Sequence, residues 1–449
     1  MNHLISIIVL LISYLLFKKA AGGDLSFRRM NIYSFIFWIQ LVILSFIGVN
    51  IIVNEWIPLF NYDEKVNNLA YFGVCYSMIV IPLVMLFISK LFGFDPVVEI
   101  EDYYNKPVKR IVTNEDSFIF FPVLFLSIIG VLVIVYSYYI VNYPPLFALL
   151  QGESSYKLSQ LRIKVSREFE GIVQIKNILG VTLVPFLSYI AYSYLNVKQM
   201  NKDRWIIIFA MLFISSITIN LFTLAKIPVT VYLFSLLFLF VSINGRISIK
   251  SLIKLFSILI FLVFVAYIFI GGYSFDESLI GLDSGPIARV MFAQIWGLFE
   301  HFEIFPNKID FLQGASLPSY IAKFLGKEHI TSARAVMEYF NPSGVEAGIV
   351  GVMNTHFIAE AWANWGFLGL FLSPIWVAAV IQIVFITLFR SPKNPINLAL
   401  MTYFTVYLGM SITGGFVAYI YNVIVIFILM LGILLKWFSF KSTILVKNN

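Results

Sequence analysis

Apolar runs the length of a membrane span recur from one end of this chain to the other, and they constrain its fold more than any other feature. Many exceed the ~18 residues that read as a membrane span. A backbone in hydrocarbon must satisfy its own N–H and C=O groups, so only helices or a closed barrel can cross. Barrel strands alternate in polarity and these runs do not. The expectation is therefore an all-α polytopic membrane protein. Of the 449 residues, 60% are hydrophobic and 12% charged. That excludes a string of soluble domains, which carry about twice as much charge. Cys75 is the single cysteine, so a disulfide within the chain is excluded and a cysteine metal site disfavoured. The short first run lacks a preceding basic segment and reads as a retained span, not a signal peptide.

The runs place roughly 11 spans at 3–17, 31–53, 70–93, 118–142, 178–196, 205–224, 228–243, 252–272, 366–389, 396–413 and 416–435. The connections alternate in charge. One set holds "KKAAGGDLSFRR", "KPVKR", "KQMNKDR", "NGRISIK", "RSPK" and the tail with Lys436, Lys441 and Lys447. By the positive-inside rule these are cytoplasmic, which accounts for most of the net charge of +7 without any nucleic acid. The N-terminus then faces outside and the C-terminus the cytoplasm. The chain divides into an N-terminal bundle over 1–272 with a smaller outer loop at 143–177, a large outer loop over 273–365, and C-terminal helices with a tail over 366–449. The large loop holds ten Asp/Glu against five Lys/Arg, a soluble-like composition. No paired halves with matching broken helices are visible, as many transporters would show.

Chemistry-bearing residues cluster in the outer segments. In "ESSYKLSQLRIKVSREFEGI", Leu158, Leu161, Val165, Phe169 and Ile172 share one helical face, with Lys157, Gln160, Lys164 and Arg167 opposite and Arg162 at the border. The spacing predicts an amphipathic interfacial helix. It is either a snorkelling surface helix or a cationic wall for an anionic lipid-linked substrate. Lys226, in the tight turn "FTLAKIPVT", is either a snorkelling lysine or a phosphate contact. In the large loop, Arg289 stands among apolar residues and needs a partner or a ligand. Lys323, Lys327 and Arg334 supply three cations within twelve residues, and His301 reads as a polar-face residue.

His356, Glu360 and Asn364 in "NTHFIAEAWANWGFLGL" are four apart and stack on one helical face, followed by Gly366, Gly369 and Ser373. This is either a polar helix end with close small-residue packing or the wall of a water-filled cavity at membrane depth. His356 and Glu360 alone make a weak metal pair, since no second histidine lies nearby. No Walker A loop, H-E-x-x-H, G-x-S-x-G or outer Asp-x-Asp occurs. No metal or other cofactor is expected.

The stretch "FIAEAWANWGFLGL" resembles the E-x-[YW]-x-N-x-G-x-x-G motif of Wzy-type oligosaccharide repeat-unit polymerases, which serve O-antigen, capsule and exopolysaccharide assembly. The matching positions are Glu360, Trp362, Asn364, Gly366 and Gly369. "GASLPSYIAKFLGKEH" is similar to another loop segment of that family, and "SQLRIKVSREFEG" to its smaller arginine-bearing loop. One departure is the pair Ala322-Lys323, where the family usually has Pro-Arg. The resemblance implies a GT-C-like fold in the bacterial cytoplasmic membrane. It implies donor and acceptor glycans on undecaprenyl pyrophosphate, metal-independent transfer at the outer face, and room for a chain-length regulator as partner. For such a reaction Arg289 and Arg334 would stabilise the departing pyrophosphate. Glu360 or His356 would serve as base. Arg162, Lys164, Arg167, Lys226, Lys323, Lys327 and Asn364 would bind substrate. A flippase for the same lipid-linked unit and a related glycan ligase are the competing functions.

Overall fold

The computed structural model describes residues 3–56, 61–109, 116–197, 202–271, 292, 294–346, 352–420 and 422–447. All described regular elements are helical. In chain order the principal ones are α1 (His3–Ala20), α2 (Ile32–Val53), α3 (Glu64–Leu91), α4 (Pro96–Asn105), α5 (Asp116–Ile140), α6 (Pro145–Leu150), α7 (Ser155–Arg167), α8 (Val173–Leu195) and α9 (Lys202–Asn220). Then follow α10 (Lys226–Asn244), α11 (Ile249–Gly271), α12 (Gln294–Ile304), α13 (Ser319–Phe324), α14 (Ser332–Phe340), α15 (Phe357–Trp365), α16 (Phe367–Arg390), α17 (Pro395–Met410) and α18 (Val423–Lys447).

Nine helices among the described residues are long and apolar enough to cross a membrane: α1, α2, α3, α5, α8, α9, α10, α16 and the segment Val417–Phe438. This is the make-up of a multi-pass membrane protein. The spans expected at 252–272 and 396–413 correspond to α11 and α17; α17 has 16 residues, a little short of the usual ~20.

The helices form two compact units. The first comprises residues 1–101, 274–387 and 407–422. In it α1 and α2 pack on α3, and α12 packs on α3, α14 and α15. A π-helical stretch, Phe35–Ile47, lies within α2. Such widened turns re-aim side chains and recur at functional sites. Here the Ser45 hydroxyl donates to the Gln40 carbonyl at 2.7 Å, five residues back.

The second unit comprises residues 102–273, 388–406 and 423–449. Its centre is α8 against α9, with α5 along the π-helical stretch Lys176–Thr182 of α8 and α10 beside α11. Lys393, from the basic loop "RSPK", is buried and donates to the carbonyls of Tyr104 at 3.1 Å and Ile243 at 3.4 Å. It thus satisfies two helix-end carbonyls, and burial pushes its pKa down to about 8.

The amphipathic helix expected over 153–172 is shorter than its periodicity suggested. Ser154 caps it, accepting from the Lys157 N–H at 3.4 Å, and it ends at Arg167. Leu158 and Val165 are buried as expected, Leu158 in a cluster with Ala148 and Leu224. Phe169 and Ile172 lie beyond the helix. Glu168 and Glu170 at its C-terminal end oppose the helix dipole, which disfavours another turn.

Candidate functional site

Helix α15 is held by the side chains that share one of its faces. His356 is its N-cap, with extended backbone, and the ring Nδ1 accepts from the Ile358 N–H at 3.4 Å. Since Nδ1 accepts, the proton sits on Nε2, which lies 3.4 Å from Ser45 Oγ. The ring is 0% exposed, and burial pushes its pKa down to about 3. Sequence periodicity put His356 on the helix one turn before Glu360; it lies instead just outside α15 as the cap, and its partner on the π-helical stretch of α2 had no local signal.

Glu360 is 7% exposed. One carboxyl oxygen accepts from the Val417 N–H at 2.9 Å, at the first residue of the 3₁₀ turn Val417–Tyr419. The other lies 3.5 Å from the Ser316 hydroxyl. Gly415, at φ +130°, makes this approach possible, because a Cβ there would lie 2.7 Å from the carboxylate. Burial raises the carboxyl above the ordinary range, while the Val417 and Phe416 amides and the Ser316 hydroxyl pull it back.

Asn364 is 1% exposed and uses both ends of its amide. Its oxygen accepts from the Gly314 N–H at 2.9 Å. Its nitrogen donates to Ser316 Oγ at 2.6 Å and to the Glu360 carbonyl at 2.9 Å. The last carbonyls of α15 are consumed beside it: Leu312 N–H donates to Ala363 and Gln313 N–H to Asn364. Loop 312–316 is thereby fastened to the end of α15.

The helix then breaks. Gly366 adopts φ +58°, and a Cβ there would come within 2.8 Å of the Phe311 ring. Three residues on, a Cβ on Gly369 would lie 2.0 Å from the Ala361 carbonyl oxygen. The two glycines thus let α16 turn back and touch α15. Trp362 closes the joint. Its indole N–H donates to the Phe305 carbonyl at 3.0 Å, and its ring meets Phe302, Phe311 and Phe367 edge-on.

A cavity of about 940 Å³ lies against this junction. Aromatic residues Phe72, Phe302, Phe311, Trp362, Trp365 and Phe367 wall it, and Glu64, Lys65, Asn68 and Asn307 bring polar groups. Of the two alternatives for His356, Glu360 and Asn364, close packing is the arrangement found, and not the wall of a water-filled cavity. Those three point into protein, where other protein groups meet their hydrogen-bonding needs. The other side of α15, through Trp362 and Trp365, meets the cavity. Periodicity defines which residues share a face but not which face the rest of the chain covers. The polar first turn of α3, with Glu64 and Asn68, was missed because it reads as an ordinary helix start.

A second buried polar group lies on α12. His301, expected on a polar face, is 0% exposed. Its Nδ1 lies 2.5 Å from the Gly297 carbonyl, and its Nε2 lies 3.2 Å from Ser332 Oγ and 3.4 Å from Thr355 Oγ1. Burial lowers its pKa to about 4. The helix packs on α3, α14 and α15 here, which buries the run 297–302. Neighbouring Glu300 is 3% exposed, and its Oε2 has no hydrogen-bond partner among the described residues. Burial, then the nearby Glu303 carboxylate, push its pKa up to about 8.

The expected cations are placed as follows. Arg334 pairs with Glu338 one turn on in α14 at 2.5 Å, on a partly exposed surface. Lys327 donates to the Gln313 side chain at 3.1 Å, and Lys323 is exposed at the end of α13. In the second unit, Arg162 donates to the Thr223 carbonyl at 3.1 Å, Lys164 is exposed on α7, and Lys226 is the first residue of α10. Arg289 and the side chain of Arg167 lie outside the described residues.

The chain matches no protein-family model, no curated protein and no solved structure. The site must therefore be read from its own chemistry. Among the described residues no group of three or more His, Cys, Asp or Glu side chains could hold a metal ion. The cavity offers aromatic faces together with a carboxylate, an amine and two amides. That set suits a ligand with apolar faces and many hydroxyls.

Proposed function

We propose that the protein is a glycosyltransferase of the repeat-unit polymerase kind, joining oligosaccharides carried on undecaprenyl pyrophosphate at the outer face of a bacterial cytoplasmic membrane. The observation that carries this reading is the cavity at the α15–α16 junction. Sugar rings present C–H faces that stack on aromatic side chains, and hydroxyls that pair with carboxylates and amides. Concave sites with apolar walls and a few placed polar groups are where small ligands bind. The residues of the E-x-W-x-N-x-G-x-x-G stretch build that junction, each through its own contact.

In the reaction, an acceptor hydroxyl attacks the anomeric carbon of the donor glycan. The bond to the pyrophosphate oxygen breaks, and undecaprenyl pyrophosphate departs as an anion. Fixed cations stabilise the charge that develops on it, by about 3 kcal/mol for a well-placed donor. Lys65 is the cation that lines the cavity; Arg334, outside that lining, is a candidate for the carrier's phosphates if it exchanges Glu338 for their oxygens. Its planar fork suits bidentate contact with them. Glu360 and His356 do not line the cavity, so in this mechanism they are positioning residues. They fix α15, and through Asn364 the loop 312–316. Glu64 is the carboxylate that lines the cavity, and in this mechanism it accepts the proton that the attacking hydroxyl loses.

Loss of the gene tests the class. Single repeat units should accumulate on the lipid carrier at the outer face. Repeat units trapped on the cytoplasmic side would indicate a flippase. Finished long chains left on the carrier would indicate a ligase.

A further inference from the structure

Lys176 begins the π-helical stretch of α8, inside an apolar segment, and is 8% exposed. Its ammonium lies 4.2 Å from the centre of the Phe169 ring and 5.0 Å from that of Phe222. The two rings meet edge-on at 5.9 Å, and Tyr138 braces Phe222 from 5.1 Å. This explains where Phe169 goes on leaving α7: it folds over the lysine. No carboxylate or hydrogen-bond acceptor for the ammonium occurs among the described residues. Glu168 and Glu170 flank Phe169 but are exposed and form no ion pair with Lys176. Glu153 is taken by Lys157.

A buried cation without a counter-charge is costly. Aromatic faces offset part of that cost but leave the N–H donors unused. The clamp also removes rotamer freedom that a snorkelling lysine would keep. What remains is a fixed ammonium with free donors, the arrangement that receives an anion. The same turn gathers further positive charge. Phe222 supplies the clamp, the next residue's carbonyl holds the Arg162 guanidinium, and Lys226 follows three residues later. Exposed Ile172, Val173 and Val181 offer an apolar track along the same segment.

We propose that Lys176, clamped between Phe169 and Phe222, anchors the phosphate of a membrane lipid whose chain runs along the start of α8. The phosphate belongs either to an ordinary phospholipid or to a polyprenyl pyrophosphate. Only the second source rests on the polymerase reading.

The test uses the full-length protein purified in a neutral detergent, with three probes: farnesyl pyrophosphate, dioctanoylphosphatidylglycerol, and farnesol as the phosphate-free control. Wild type should bind the phosphate-bearing probes and not farnesol. Lys176→Met keeps the side-chain length and should weaken phosphate binding at least ~10-fold, the loss expected for a charge-assisted contact. Lys176→Arg should stay within about threefold of wild type, since its cation still fits between the rings. A preference of at least ~10-fold for farnesyl pyrophosphate over the glycerolipid assigns the site to the carrier, and equal affinity assigns it to phospholipid. Wild-type binding in a folded Lys176→Met variant would overturn the proposal. A second measurement needs no variant: amine acylation at Lys176, followed by mass spectrometry, should slow with farnesyl pyrophosphate and not with farnesol. Equal rates with both would overturn the proposal as well. Lys176-dependent binding in a protein that makes no polymer would retire the polymerase reading alone; polymer formation without such binding would retire this inference alone.

Discussion

Replacing Glu300 by glutamine should stabilise the protein, and increasingly so as the pH rises. Glu300 sits in the middle of α12 at 3% exposure, with one carboxyl oxygen unpartnered among the described residues. Glu303 is one turn away, and the Tyr62 phenol, which receives the Trp296 indole N–H and stacks on Phe299, completes the polar surroundings. Asp63 and Lys308 act on Glu303 from farther out. The pKa rises from 4.5 to about 8, so the native state holds a proton that the unfolded chain releases. Stability linked to that proton is fully present below pH 4.5 and is lost as the pH climbs to about 8. At about 1.36 kcal/mol per unit, the loss is on the order of 3 kcal/mol at pH 7 and 4 kcal/mol at pH 8, where the native carboxyl is itself half ionised. Glutamine keeps the shape and cannot ionise. Thermal unfolding of both proteins in the same detergent at pH 5, 6, 7 and 8 reads the effect. The variant should match the wild type near pH 5 and pull ahead steadily above it. Two curves that stay parallel across this range would refute the argument.

Gly369→Ala should destabilise by more than the ~3 kcal/mol upper end of ordinary overpacking, because the obstacle is the Ala361 backbone carbonyl and not a movable side chain; a melting point within a degree of wild type would count against the α15–α16 contact. Arg334→Ala should leave the melting point almost unchanged, since an exposed i,i+4 pair contributes only ~0.3–0.5 kcal/mol, while polymerisation is abolished. Unaltered polymer synthesis would remove Arg334 from the site. Glu360→Gln keeps an oxygen for the Val417 amide, so a positioning role predicts activity within about tenfold of wild type, whereas a fall of ~100-fold or more would identify Glu360 as the base.

Much of this architecture was legible in the residues. Length and hydropathy revealed the helices, because a chain in lipid has few other options. The four-residue spacing of His356, Glu360 and Asn364 placed them on one face, and Gly366 and Gly369 marked a close approach. What local pattern could not supply was the identity of the neighbours. Glu360 meets Val417 across 57 positions, Asn364 meets Gly314 across 50, and His356 meets Ser45 across 311. Those contacts turn the polar face inward and leave the tryptophan side of α15 to wall the cavity. The same limit applies to α7. Apolar periodicity carried the expected helix through Ile172, but the chain leaves the helix at Glu168, and Phe169 finds Lys176. His301 read as polar-face because two glutamates flank it, yet helix α12 is enclosed on several sides and buries both His301 and Glu300.

The most direct test of the proposed activity is incubation of the purified protein with undecaprenyl-pyrophosphate-linked repeat units taken from cells lacking the gene, with and without a metal chelator. A repeat-unit polymerase should yield a ladder of glycans lengthening by one repeat unit at a time, unchanged by the chelator. Repeat units that remain single, in the presence of correctly folded protein, would contradict it.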